Sequence, residues 1–366
     1  MRPKSSILLF IVFTLLSSAG SSGNIKPAED SSFAFAENHK KANRIYKEEL
    51  QRILIERKAS SFVLGRSHQG RNIEAYFFPG TSDKRALIIG GVHGSELSSI
   101  EVAKQLLRLL TPGDSIFYNV IIIPTLFPDN AEAAKQTPFQ IGGMQNIGRY
   151  SFPGAVDPNR QMPTPGQAFD KEDALDHDGR KIENENALLL DLINQYRPQR
   201  IVNLHAIRDI CNAGVFADPR TDERGIALGF ESDSSLSVAI AMDIQQNGGY
   251  IPGNRLNKKP TALYYKDPAP APAGFLQKRN LSGSSLPGKR GGGVSLGTWA
   301  STAVADKKDP AKNRDAIRII TMEFPGSKRP VDHKKELQAF YQQQVELYAA
   351  ALKNIFLGDY FTEEVI

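Results

Sequence analysis

Apolar and polar positions along the chain form two kinds of pattern. Residues 86–89, 120–123, 201–204 and 317–322 are nearly continuous apolar runs, which are typical of strands buried on both faces of a sheet. Residues 61–64 and 73–78 predict a hairpin around a turn at 65–71. Apolar residues at helical spacing predict helices through 46–54, 97–110, 189–196 and 337–352. Strands and helices in alternation predict the α/β class, with a mixed, mostly parallel twisted sheet between helices.

The first residues have the pattern of an export signal. Arg2 and Lys4 precede an apolar run at 7–16, and small residues follow it up to Ala19. The run is shorter than the roughly 20 residues that span a bilayer. We predict a signal peptide over 1–19, a flexible tether over 20–35 and a single domain over 36–358. The expected product is exported, periplasmic or extracellular, without an integral membrane segment after cleavage.

Composition narrows the choice of partners. The formal charge of +5 is small and dispersed, which argues against nucleic acid, and the mild positive excess favours an anionic neighbour such as a cell-wall polymer or lipid headgroups. Cys211 is the only cysteine, so an intrachain disulfide is excluded, and we expect it to be a small buried residue.

The amino-acid composition changes at about 250–298, where Pro, Gly, Lys and Ser dominate. Retained apolar residues favour an ordered, loop-rich insertion near the site over a disordered one. It contains Tyr250, Tyr264 and Tyr265, which either pack within the insertion or close over a substrate.

Candidate metal ligands follow two of the predicted strands. His93 and Glu96 come after the strand at 86–89, with a spacing that puts both side chains on one face of a helix start, and His205 ends the strand at 201–204. The carboxyl ends of strands in an open α/β sheet form the usual ligand crevice. Two histidines and one glutamate are the ligands of a catalytic zinc ion with one position left for water. Glu323 ends the strand at 317–322 as a separate acid, available as a general base.

Each of these features also has a structural interpretation. A His-x-x-Glu sequence is often a solvated helix start stabilised by the helix dipole, and a histidine at a strand end is often a hydrogen-bonded core residue. Glu323 is more specific, because a carboxylate that closes an apolar strand is costly to bury without a charged or metal neighbour. The four residues together at one sheet edge favour a single zinc ion.

The chain resembles the carboxypeptidase A-like zinc carboxypeptidases over about residues 61–326, and within them the bacterial murein-peptide amidases. The matching stretches, in the family's order, are Gly91-Val92-His93-Gly94-Ser95-Glu96, Asp157-Pro158-Asn159-Arg160, Leu204-His205 and Met322-Glu323-Phe324-Pro325. The amidase likeness comes from Gly65-Arg66-Ser67, Glu183-Asn184-Glu185 and the stretch from Val294 to Trp299.

The resemblance implies a role for each matching residue. His93, Glu96 and His205 would hold zinc, Asp157 would accept the free ring N–H of His93, and Glu323 would be the general base. Arg149 would stabilise the oxyanion, although it could instead pair with a surface acid. Asn159 and Arg160 would bind the free carboxylate of the substrate. Two departures from the family's pattern leave the metal ligands unchanged. Pro158 removes a backbone donor where the substrate carboxylate would bind, which affects the shape of the pocket. Ala206 stands where many members have Ser, which weakens a polar contact to substrate.

The expected function is therefore that of a secreted zinc metallopeptidase cleaving an amide next to a free carboxylate. Murein stem peptides, cut at the D-glutamyl to diaminopimelate bond, are the substrate that the resemblance favours. Alternatives are a zinc carboxypeptidase of ordinary peptides, an acylamino-acid deacylase of the desuccinylase type, and a wall-binding module without catalysis. Retention of Glu323 argues against the last, because a binding module needs no general base.

Overall fold

The computed structural model describes residues 46–110, 115–143, 146–228, 231–256, 292–326 and 335–360. The predicted signal peptide at 1–19, the predicted tether at 20–35, and both Tyr264 and Tyr265 lie outside the described residues. Of the predicted insertion at 250–298, residues 250–256 and 292–298 are described.

A seven-stranded sheet in the order β1-β2-β4-β3-β5-β7-β6 forms the centre of the fold. The strands are β1 (Ser60–Arg66), β2 (Asn72–Phe78), β3 (Arg85–Ile89), β4 (Asn119–Ile123), β5 (Arg200–Ile207), β6 (Gly214–Asp218) and β7 (Arg318–Pro325). Strands β4, β3, β5 and β7 run parallel to one another. The β1–β2 hairpin on one side and β6 on the other pair antiparallel. The predicted mixed α/β sheet is confirmed, with its parallel part at the centre.

Helices cover both faces of this sheet. They are α1 (residues 46–56), α2 (Leu97–Leu109), α3 (Pro128–Gln136), α4 (Asn184–Tyr196), α5 (Glu231–Gln246), the short α6 (Leu296–Ala300) and α7 (Lys335–Ala351). Residues of α1 and α4 pack in the core on one face, and residues of α2, α5 and α7 pack on the other. In the described part of the chain, none of the helices combines the length and the apolar character needed to cross a membrane.

The apolar runs form the buried middle of the sheet because they have a core on each side. On β3, Leu87 and Ile89 face the core with α4, while Ala86 and Ile88 face the core with α2. All four side chains are fully buried. Burial of each large one contributes about 1.5–3 kcal/mol, which no polar residue at these positions could supply.

The structure adds elements that the sequence patterns did not predict, namely α3, α5 and β6. It also corrects one expectation. Cys211 is exposed rather than buried, because it lies in a short 3-10 turn, Ile210–Asn212, between β5 and β6. Its backbone N–H donates to Asp209 Oδ1 at 3.2 Å, which holds the turn at the surface.

Parallel pairing brings the predicted site residues to one edge of the sheet. Strands β3, β5 and β7 are neighbours, so their carboxyl ends lie side by side. His205 and Glu323 are direct register partners on β5 and β7. The chain leaves β3 through Gly91, whose φ of +64° is a conformation that favours glycine, and it then reaches His93.

Candidate metal centre

The turn between β3 and α2 presents the first two candidate ligands. Glu96 is the residue that precedes the first turn of α2, and its backbone N–H donates to the His93 carbonyl at 3.0 Å. Gly94 allows this turn to approach α3, because a Cβ there would come within 2.2 Å of the Ala131 backbone nitrogen. The sequence His93-Gly94-Ser95-Glu96 therefore folds into a tight turn that needs glycine at its second position.

The imidazoles of His93 and His205 meet at the Glu96 carboxylate. His93 Nδ1 lies 2.8 Å from Glu96 Oε1, and His205 Nδ1 lies 3.0 Å from Glu96 Oε2. One nitrogen or oxygen from each side chain lies within 4.8 Å of the others. His93 and His205 are each 4% exposed, and Glu96 is 6% exposed. The site is therefore a compact, buried set of two nitrogens and a carboxylate.

Asp157 fixes the ring of His93 from the other side. Its Oδ1 lies 2.8 Å from His93 Nε2, so the two ring nitrogens of His93 face two different carboxylates. Burial opposes a charged ring, but the charges of Glu96 and Asp157 outweigh it and raise the pKa of His93 to about 9. Burial alone would raise the pKa of the Glu96 carboxyl, but His93 and His205 hold it well below its usual range.

The donor set fits a divalent cation on chemical grounds. A doubly protonated His93 places a proton at Nδ1, between the ring and Glu96, and a cation would take the place of that proton. Asp157 would keep the Nε2 proton and leave the Nδ1 lone pair directed at Glu96, which is the usual support for a ligating histidine. Zinc is the ion for which two histidines and a glutamate are a common catalytic set.

Arg149 belongs to the site rather than to the surface. Its Nη2 donates to Asp157 Oδ2 at 2.7 Å, and its Nη1 donates to Glu96 Oε1 at 3.2 Å. The side chain is 29% exposed, so one side of the guanidinium remains accessible. Both acids that it contacts also contact His93, which ties the arginine to the ligand cluster.

Asn159 and Arg160 lie in a short 3-10 turn, Pro158–Arg160, that follows Asp157. Pro158 occupies the first position of this turn, and Asp157 Oδ1 accepts from the Asn159 N–H at 2.9 Å. The Asn159 side chain accepts from the Leu296 N–H at 3.1 Å and has its Nδ2 3.3 Å from His205 Nε2. Arg160 Nη1 donates to the Asn159 carbonyl at 2.6 Å. Asn159 is thus held by protein groups, whereas the guanidinium of Arg160 donates only to a backbone oxygen among the described residues.

Glu323 faces the ligand cluster from β7. Burial raises the pKa of Glu323 above that of an ordinary glutamate. The negative charge of Glu96 also raises this pKa, whereas the nearby His205 lowers it. A raised pKa brings a carboxyl group closer to the proton affinity that a general base needs near neutral pH. The carboxyl group accepts no side-chain or backbone hydrogen bond from the residues that the structure describes.

A cavity of about 500 Å³ opens onto these groups, a size within the ~300–1,000 Å³ range of small-ligand pockets. Seven of the predicted site residues line it, and Asp157 lies behind them. The seven are His93, Glu96, Arg149, Asn159, Arg160, His205 and Glu323. The cavity wall also contains residues that the sequence did not single out, chiefly Arg208 and the 141–143 segment. Arg208 could have been found as the charged residue that follows the ligand-bearing strand β5.

Tyr250, the one described tyrosine of the predicted insertion, does not line this cavity. Its backbone N–H donates to Gln344 Oε1 at 2.6 Å, and its carbonyl accepts from the Tyr348 hydroxyl at 2.8 Å. Its ring packs edge-on against Phe340 at 6.4 Å. Of the two roles considered for Tyr250, packing and closure over a substrate, these contacts favour packing.

No protein-family model and no curated protein matches this chain. Solved structures with a similar fold include a protein described as a metallopeptidase from Shewanella amazonensis, with 16% identity and a TM-score of 0.47, covering 88% of this chain and 93% of that one. Carboxypeptidase A from Helicoverpa armigera has 15% identity and a TM-score of 0.44, covering 84% and 71%. The murein-tripeptide amidase of Escherichia coli O157 has 17% identity and a TM-score of 0.37, covering 79% and 92%.

These neighbours are metallopeptidases, carboxypeptidases and an amidase, the group that the sequence motifs resemble. The sequence identities and TM-scores are low, so these neighbours do not assign an activity to this chain. The functional case therefore rests on the chain's own residues and their geometry.

Proposed function

We propose that this protein is a zinc-dependent hydrolase that cleaves an amide bond next to a free carboxylate. The observation that carries the proposal is the joint placement of His93, Glu96 and His205 opposite a fourth, separate acid, Glu323, in one cavity. A purely structural cluster would have no need of an additional, half-buried acid facing it. A binding module without catalysis is disfavoured for the same reason.

The residues divide the chemistry between them. Zinc, held by His93, Glu96 and His205, would supply a Lewis acid that lowers the pKa of water towards neutrality. Glu323 would accept a proton from the attacking water as the new C–O bond forms. It would then deliver that proton to the leaving amine as the C–N bond breaks. Arg149, with its accessible face in the cavity, would donate to the oxygen of the scissile carbonyl as negative charge develops there.

Arg160 would make the enzyme an exopeptidase. It lines the cavity, and among the described residues its guanidinium makes one hydrogen bond, to the Asn159 carbonyl, so its remaining side-chain N–H groups are available for a terminal carboxylate. Asn159 would support the same carboxylate, provided that a substrate can replace its contacts with Leu296 and His205. A terminal carboxylate bound at this end would place the adjacent amide over the ligand cluster.

Murein stem peptides are the substrate that we favour, with cleavage at the D-glutamyl to diaminopimelate bond. The support is the resemblance of three short stretches to the murein-peptide amidases, together with an N-terminal sequence that has the pattern of an export signal. We accordingly propose a periplasmic or extracellular location and an association with the cell wall. Carboxypeptidase activity on ordinary peptides and deacylation of acylamino acids are the alternatives.

One assay separates these functions. Purified protein is incubated with zinc, or with a chelator, and offered muropeptides, plain peptides with free or amidated ends, and succinylated amino acids, and the products are read by mass. We expect zinc-dependent release of diaminopimelate-containing product from the muropeptides. Cleavage of plain peptides alone would assign the carboxypeptidase alternative, and cleavage of succinylated amino acids alone the deacylase. Turnover that survives complete removal of the metal would contradict the proposal.

A further inference from the structure

Arg208, an exposed residue, brings a third arginine to the cavity, beside Arg149 and Arg160. It follows β5, three residues after His205, and lines the same cavity as the ligand cluster. Its Nη1 donates to the Gly142 carbonyl at 3.0 Å, and its guanidinium lies beside Gly142, with Nη1 and Cζ 3.6 and 3.7 Å from where a Cβ would be. These contacts hold the arginine at the cavity wall without using a carboxylate.

The acid adjacent to Arg208 in sequence is engaged elsewhere. Asp209 accepts from the Cys211 N–H through Oδ1 at 3.2 Å and from Asn212 Nδ2 through Oδ2 at 2.8 Å. Both of its oxygens therefore stabilise the turn that follows β5. Among the residues that the structure describes, Arg208 forms no ion pair.

The three arginines of the cavity differ in how they are neutralised. Arg149 is paired with both Glu96 and Asp157. Arg160 and Arg208 contact backbone carbonyls, of Asn159 and Gly142 respectively, and in the described part of the chain neither is paired with an acid. A single terminal carboxylate, as the proposed function requires, carries one negative charge and would offset the charge of only one of the two. Guanidinium groups that line a polar cavity and form no ion pair favour anionic ligands there.

We infer that the cavity selects substrates with two carboxylates, one bound by Arg160 and a second bound by Arg208. This inference rests on the proposed function and narrows its substrate class to acidic peptides. The second carboxylate belongs either to the released residue or to the residue on the acyl side of the scissile bond. Arg208 is a specificity residue in this scheme, because it contacts substrate away from the reacting atoms.

Matched peptides test the inference. Glutamate and glutamine have nearly the same shape and differ in charge, so N-acetyl-Gly-Glu is compared with N-acetyl-Gly-Gln, and N-acetyl-Glu-Gly with N-acetyl-Gln-Gly. The zinc-loaded wild type, Arg208→Gln and Arg208→Lys are assayed on all four. Arg224→Gln is the control, since Arg224 is a 77% exposed arginine that lies outside the cavity lining.

We expect the wild type to prefer one of the two glutamate peptides, and the pair that responds identifies the position of the second carboxylate. Arg208→Gln should lower kcat/KM for that peptide about tenfold or more, mainly through KM, and should leave its glutamine partner within about twofold. Arg208→Lys should retain part of the preference, because it keeps the charge and loses the planar fork. Equal effects on glutamate and glutamine peptides would overturn the inference.

A binding measurement keeps the inference separate from the proposed activity. Glutarate and butyrate are titrated calorimetrically into the zinc-loaded wild type and into Arg208→Gln. Glutarate should bind more tightly than butyrate to the wild type, and the difference should shrink about tenfold in the variant. If no peptide is hydrolysed but this difference is present, the proposed function fails while the dicarboxylate site stands. If peptides are hydrolysed and the difference is absent, the proposed function stands and the role of Arg208 is refuted.

Discussion

Replacement of Asp157 by asparagine tests the support of the metal site without removing a ligand. Asp157 is 5% exposed and contacts three groups, at 2.8 Å from His93 Nε2, 2.7 Å from Arg149 Nη2 and 2.9 Å from the Asn159 nitrogen. An asparagine oxygen at the Oδ1 position can still accept from His93 and Asn159. Its amide nitrogen at the Oδ2 position would face Arg149, donor against donor, and the negative charge beside the histidine would be gone.

The expected effect on metal binding follows from these contacts. Loss of a partner that orients a ligating histidine typically costs 10–100-fold in metal affinity, or about 1.4–2.7 kcal/mol. Arg149 is 29% exposed, so it can turn towards water, and the loss of its ion pair should add little to the cost. We therefore expect the zinc Kd of Asp157→Asn to rise 10–100-fold, while the metal-free protein stays folded.

Competition with a chromophoric chelator at fixed pH measures the zinc Kd, and thermal unfolding with and without zinc measures the folded stability. Asp83→Asn is the matched control, because Asp83 is also paired with an arginine, Arg57, but is 98% exposed. The control should bind zinc like the wild type. A zinc Kd for Asp157→Asn within twofold of the wild type would refute the role assigned to this carboxylate.

Three further substitutions address catalysis, substrate binding and stability. Glu323→Gln should keep its zinc and lose at least about 100-fold in kcat, measured by elemental analysis and peptide hydrolysis, and unchanged turnover would remove Glu323 from the mechanism. Arg160→Ala should raise KM about tenfold for peptides with a free terminal carboxylate, and an equal loss on amidated peptides would contradict that contact. Burial raises the pKa of Glu185 from its ordinary value near 4.5 to about 7, so the folded chain holds this proton more tightly than the unfolded chain and stability falls as pH rises through this window. The free energy of unfolding of Glu185→Gln, measured in urea, should therefore exceed that of the wild type by up to about 3 kcal/mol above pH 7 and by nothing near pH 4. Glu132→Gln is the control, because the Glu132 side chain is 39% exposed, and a gain independent of pH would exclude this cause.

The centre of the fold could be predicted from sequence because its strands are buried on both faces. Such strands need apolar residues at consecutive positions, and the runs at 86–89, 120–123, 201–204 and 317–322 all lie within observed strands or overlap one closely. The candidate ligands could be placed together for a related reason. Parallel strands end at the same edge of a sheet, which predicted that His93, His205 and Glu323 share that edge. The structure shows in addition that β3, β5 and β7 are direct neighbours, which makes the three residues close.

Elements with a weak apolar pattern show where the sequence was insufficient. Strand β6, Gly214–Asp218, contains a glycine and an aspartate, which are rare in strands. Helix α5 begins in a stretch rich in Asp and Ser, residues that also favour turns and caps. Helix α3 buries alanines and Asn130 rather than large apolar residues, so its stripe is weak. Arg208 was missed for a different reason. A single arginine after a strand is ordinary at a surface, and its position in the cavity depends on Gly142, which is distant in sequence.

The central claim is that His93, Glu96 and His205 hold one catalytic divalent ion that Glu323 faces. The most direct test is the zinc content per chain of the wild type, His205→Ala and Glu323→Gln after identical loading and removal of free metal. The account predicts one zinc per chain for the wild type and for Glu323→Gln, and almost none for His205→Ala. Full zinc occupancy in His205→Ala, with the protein folded, would contradict it.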